Sequence, residues 1–120
     1  MPAQPPIRIY HNPRCSKSRQ ALELLRTRGI EPEIVEYLKT PPTAAQLGEI
    51  LDGLNLQPRD LMRTDEHEYR AAGLDDAALT REQLIAAMVR HPKLIQRPIV
   101  LANGKVALGR PPERVLEIVP

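Results

Sequence analysis

The sequence is short of the residues that would commit it to several common functions. It contains no Trp, no Phe and only 3 Tyr in 120 residues, so the aromatic platforms on which unpaired bases stack are nearly excluded. A single cysteine, Cys15, rules out an internal disulfide framework and a cysteine-rich zinc site. Neither sign of charge dominates: 17 basic and 15 acidic residues leave a formal net charge of +2, too even for a chain that grips nucleic acid through its phosphates. No apolar run approaches the ~18 residues of a membrane span. Residues 1–6 have neither the charged nor the apolar region of a secretory signal and are expected to form a flexible tail. The chain is therefore expected to be reduced, cytoplasmic and monomeric, with neither nucleic acid nor membrane as a partner.

What is present suits one globular domain over 7–120, with 42% hydrophobic and 27% charged residues. Its core must come from Leu, Ile, Val, Ala and Met. Ile7-Arg8-Ile9-Tyr10 alternates as a strand does and stops at the turn-forming His11-Asn12-Pro13. Ala21, Leu22, Leu24 and Leu25 stripe a helix from Ser16 to Arg28, with Gly29 as its stop. Glu33 to Tyr37 is a second strand signal, which completes a β-α-β unit. A helical insert over about 43–95 follows, opened by Thr43 with Gln46 and, later, by Thr80 with Gln83, both in capping-box spacing. Between them Leu61-Met62-Arg63 reads as a short helical piece, and Glu66 to Gly73 as a polar, turn-rich stretch. Asn103-Gly104 between two apolar runs predicts a hairpin, and Pro111-Pro112 predicts a closing helix that carries Val115, Leu116, Ile118 and Val119. The fold class is α/β: a β-α-β half and a β-β-α half, the order of a thioredoxin-like sheet, separated by the helical insertion.

Cys15 falls where the first strand gives way to the first helix. The unpaired N–H groups and the positive end of the helix dipole favour a thiolate there, and His11, Arg14, Lys17 and Arg19 add positive potential. A lone cysteine is commonly a small buried hydrophobe, but the flanking Arg14, Ser16 and Lys17 argue against an apolar slot. A C-x-x-C dithiol would need cysteine at Ser18, and a cysteine phosphatase loop would need arginine at Ala21. Any second thiol must come from a partner.

The run from His11 to Arg19 resembles the active-site segment of the glutaredoxin-dependent arsenate reductase family. The likeness continues through Tyr37-Leu38, Pro41-Pro42, Leu61-Met62-Arg63, His91-Pro92, Gln96 to Val100 and Gly109-Arg110-Pro111, and so covers nearly the whole chain. Ser16-Lys17 stands where the better-known members carry Gly-Thr, and the version here is closer to a short subgroup. The resemblance implies a thioredoxin-like fold, Cys15 as the nucleophile, His11 as a group that keeps the thiol ionised, and Arg63, Arg97 and Arg110 as ligands of arsenate or a related oxyanion. It also implies that glutathione attacks the cysteine–arsenic adduct as a co-substrate, and that glutaredoxin removes the glutathionyl group as arsenite leaves, with no bound cofactor. A cis Arg97–Pro98 bond facing the cysteine is expected from the same fold.

Two other functions compete. One is a non-catalytic interaction module of the Spx-like kind, whose members bind RNA polymerase and switch through C-x-x-C, a mode that Ser18 argues against. The other is a thiol reductase with a different substrate. His67 and His91 read as solvated or structural, and three scattered histidines give no metal site. No phosphate-loop or dinucleotide fingerprint is present.

Overall fold

Arg8–His11 forms the first strand, β1, in the computed structural model, which describes residues 7–120; the tail expected over 1–6 lies outside the described residues. The strand extends one residue beyond the predicted stop because His11 still pairs, parallel, with Glu36 of β2 (Glu33–Glu36). Between them α1, Ser16–Thr27, turns its buried Ser18, Ala21, Leu22 and Leu25 toward the sheet. It ends as its sequence predicts: Gly29, at φ +76°, donates to Arg26 O, and Ile30 N–H reaches Leu25 O, the paired bonds of a left-handed helix stop.

The two later strands, β3 (Ile99–Ala102) and β4 (Lys105–Leu108), form the hairpin expected around Asn103-Gly104. Both turn residues have positive φ, 54° and 72°, the conformation whose twist matches that of the flanking strands. The sheet order is β2-β1-β3-β4, with β1 antiparallel to β3 and β3 antiparallel to β4. This is the thioredoxin-like arrangement. Ile9 and Val100 are cross-strand partners and pack with Ala21, Leu22, Leu25 and Val115 into one core. The closing helix is a 3-10 helix, Pro112–Ile118, rather than the expected α-helix. Three residues per turn put Pro112, Val115 and Ile118 in line, so the buried Val115 enters the core flanked by the other two.

The described chain forms two compact units. One is the sheet with α1 and the 3-10 helix, built from the chain up to Thr40 and from Arg97–Pro120; the other is Pro41–Gln96. In the second, α2 (Ala44–Leu54) and α4 (Arg81–Arg90) each open on a complete capping box. Gln46 N–H donates to Thr43 Oγ1 at 3.1 Å and Gln83 N–H to Thr80 Oγ1 at 3.2 Å, with the reciprocal bonds present. Leu61-Met62-Arg63 is not helical as predicted. A short 3-10 turn over Pro58–Leu61 ends at Met62, whose extended backbone (φ −98°, ψ 143°) forms an antiparallel bridge to Ile95. Arg63 N–H then reaches Leu94 O, and Gln96 N–H reaches Leu61 O. The stretch predicted as turns contains a short helix, α3, His67–Ala71, held by the buried Tyr69.

Gly109 follows β4 and donates its N–H to Pro98 O at 2.8 Å. A Cβ at this position would come within 2.6 Å of Pro98 Cγ and 3.2 Å of Val115 Cγ1, atoms of a rigid ring and of the core. Gly109→Ala is expected to destabilise the protein by about 1–3 kcal/mol, the usual cost of overpacking. Urea unfolding checks this, and an unchanged midpoint would show that the ring has room to move.

Candidate active site around Cys15

The site grows out of a tight turn between β1 and α1. Cys15 N–H donates to Asn12 O at 3.0 Å, which closes a β-turn with Pro13 at its second position, where a fixed φ is suited. The Asn12 side chain accepts from Arg14 N–H at 3.0 Å, and Arg19 Nη1 donates to Pro13 O at 2.9 Å, so the turn is tied from inside and from the helix. Cys15 then stands at the N-cap of α1 with extended backbone.

Its side chain is not open to solvent, as the charged neighbours suggest: Cys15 is only 8% exposed. The lining, however, is polar. Burial alone pushes the thiol up, but the backbone N–H groups of Ser18 and Lys17 at the helix start and the Arg97 guanidinium favour the ionised sulfur. Together these outweigh burial and hold the thiol below its ordinary value.

The expected positive charge at His11 is not favoured. The imidazole is buried on β1, and burial pushes its pKa down; Glu36 opposes the shift, whereas Arg26 and Arg19 reinforce it. His11 Nδ1 instead shares a 2.6 Å hydrogen bond with Ser18 Oγ, which also accepts from Asn12 N–H at 3.0 Å. Ser18 is wholly buried. In the sequence Ser18 stands out only as the position where a second cysteine is missing, yet the seven-residue spacing from strand end to first helical turn brings it against His11.

Arg97 and Arg110 come from opposite ends of the β3–β4 hairpin and meet: Arg110 Nε donates to Arg97 O at 3.1 Å. The Arg97–Pro98 bond between the guanidinium and β3 is cis, as expected, and so is Arg110–Pro111, which the sequence reading did not anticipate. Arg97 Nε and Nη1 are buried and have no protein partner. Arg63 belongs to the unit Pro41–Gln96, where it is half-buried and ion-paired to Glu66 at 2.6 Å, a partner the sequence reading missed. His67 is exposed and His91 partly so, and no cluster that could hold a metal ion occurs among the described residues. Nor is any helix among them long and apolar enough to cross a membrane.

The sequence model of the ArsC family matches residues 10–118. The chain is 56% identical over 114 residues to the uncharacterized YfgD protein of Escherichia coli (strain K12), covering 94% of this chain and 96% of that one. It is 51% identical over 112 residues to the arsenate reductase of Neisseria meningitidis serogroup B, covering 92% and 96%. Among solved structures, the arsenate reductase from Vibrio cholerae is similar with a TM-score of 0.91 at 48% identity, over 94% of this chain and 97% of that one.

Two titrations check the electrostatics. Alkylation of Cys15 by iodoacetamide is expected to show a midpoint below the ordinary thiol value of about 8.5, and Arg97→Ala should raise it; a midpoint at or above that value in the wild type would refute the charge balance. For His11 the shift is downward from 6.5. As pH falls through 6.5, the unfolded chain takes up the proton first, so stability falls until the folded value is passed. His11→Asn removes this titration and is expected to lose less stability than the wild type between pH 7.5 and 5.5, with equal losses as the contrary result.

Proposed function

The chain belongs to the ArsC family, and on that premise we propose that it is an arsenate reductase whose nucleophile is Cys15, with glutathione and glutaredoxin supplying the reducing equivalents. The observation that carries the proposal is the pairing of a thiol held toward its ionised form with two buried, unmatched Arg97 donors at its side. Buried donors demand acceptors, and a tetrahedral oxyanion offers several at the spacing of a guanidinium fork. Arg110, fixed against Arg97 through its Nε, contributes a second charge. The resemblance to the family extends the reading to Arg63 as a third ligand.

In this reading the Cys15 thiolate attacks arsenic(V) and displaces one oxygen as water, with protons taken from solvent. The glutathione thiol then attacks the adduct. Two thiols give up two electrons, arsenic(V) becomes arsenic(III), and a Cys15–glutathione disulfide remains for glutaredoxin to reduce. The helix start serves the chemistry twice: its N–H groups stabilise the attacking sulfur, and they stabilise the same sulfur when it is the leaving thiolate.

Arsenate-dependent NADPH consumption with glutathione, glutaredoxin and glutathione reductase supplied is the direct test, and Cys15→Ser should abolish it. Arsenate, phosphate or sulfate should protect Cys15 from alkylation. Arg97→Ala and Arg110→Ala should each weaken that protection by about ten- to a hundredfold, the worth of charge-assisted hydrogen bonds; Arg63→Ala should weaken it too, and the Lys variants should recover only part. Equal protection in all variants would make these arginines surface charge. Absence of protection in the wild type would favour the interaction module.

A further inference from the structure

One buried polar group of the β1–α1 junction that the mechanism above leaves unused is the Ser18 hydroxyl. It lies wholly inside the unit, yet it bonds to two groups of the β1–α1 junction, His11 Nδ1 at 2.6 Å and Asn12 N–H at 3.0 Å. Ser18 is also the third residue of the helix that Cys15 caps, so its backbone N–H is one of the unpaired donors at the helix start, on the side of the sulfur whose ionised form it favours. One residue thus joins the end of β1 to the sulfur, through its side chain on one side and its main chain on the other. Core packing does not require a hydroxyl here: alanine would fill nearly the same volume. Its presence calls for an explanation in polar chemistry.

We propose that Ser18 is a positioning residue for the nucleophile: its hydroxyl, clamped between His11 and the Asn12 amide, locks the first turn of α1 so that the Ser18 N–H stays aimed at the Cys15 sulfur. His11 thereby acts on the cysteine through Ser18, as a neutral hydrogen-bonding group rather than as a charge. The inference rests on the reading of Cys15 as a nucleophile, but it concerns the free enzyme and needs no substrate. The charged groups around His11 (Glu36, Arg26 and Arg19), and Arg97 beside the sulfur, all remain in place in a Ser18 variant. A change in the thiol there reports the lost clamp.

The test is the pH midpoint of Cys15 alkylation in Ser18→Ala and His11→Ala, each alone and combined, with urea unfolding measured on the same samples. Ser18→Ala is expected to raise the midpoint by about half to one pH unit, the worth of one hydrogen bond at the sulfur. The double variant should shift no further than Ser18→Ala, because both substitutions break one clamp. His11→Asn, whose amide keeps a hydrogen-bonding group close to the ring nitrogen, should stay nearer the wild type than His11→Ala. A Ser18→Ala midpoint within 0.2 unit of the wild type would overturn the proposal (roughly the scatter of such a titration, and well below one hydrogen bond), even if the variant were less stable. Should Ser18→Ala fail to fold, an unshifted His11→Ala midpoint would overturn it equally. A shifted midpoint in a protein that does not reduce arsenate would uphold the clamp while refuting the reductase reading.

Discussion

A thiol that is nearly excluded from water ionises only as far as the protein around it stabilises the charge, and the β1–α1 junction supplies that stabilisation to Cys15. Burial works against ionisation of Cys15; the N–H groups of Lys17 and Ser18 and the charge of Arg97 work for it and prevail. The donors are fixed because a helix must begin with unpaired N–H groups, and the strand-turn-helix junction decides where they point. Asn12 ties the turn through its carbonyl, its side chain and its amide, so the direction of the helix start is set by bonds within eight residues of chain. Burial of Cys15 and Ser18 then strengthens the interactions at the sulfur by removing the competing water.

Arg97 stands beside the sulfur because of how the main chain at the base of the hairpin is anchored. Gly109 approaches Pro98 so closely that no side chain fits between them, and its N–H holds Pro98 O. Arg110 then completes the link by donating to Arg97 O. These bonds act on the main chain of Arg97 and Pro98. They leave Nε and Nη1 of the Arg97 side chain uncommitted in a buried setting, which is the state in which a cation binds an incoming anion with the least rearrangement.

Much of this was legible in the sequence wherever a local rule governs. Capping-box spacing at Thr43 and Thr80, the Asn-Gly hairpin and the Gly29 stop are each set by a few residues, and each appears as predicted. Where a distant strand or a tertiary partner decides, the reading slipped. Met62 looks helical by composition but is drawn into a bridge with Ile95, far along the chain. Periodicity proposed an α-helix after Pro112, whereas the requirement to set Val115 into the core selected a tighter one. Arg63 is marked in the sequence only by the family resemblance, and its ion pair with Glu66, three residues on, depends on how the stretch after Met62 folds.

The treatment of His11 shows most clearly where reasoning from sequence reaches its limit. Next to a cysteine, a histidine suggests an imidazolium beside a thiolate, and nothing in the order of residues opposes that picture. What opposes it is the register of β1. Ile9 faces the core with Val100, so His11, two residues on, faces the same way and is buried with it. A buried imidazole flanked by Arg19 and Arg26 sheds its proton more readily than it would in water, the nearby Glu36 notwithstanding. A neutral histidine cannot attract a thiolate through charge, but it can hold a hydroxyl. Once the strand register has turned His11 inward, the group it meets is Ser18, and the influence of the strand on the cysteine passes through that hydroxyl to the first turn of the helix.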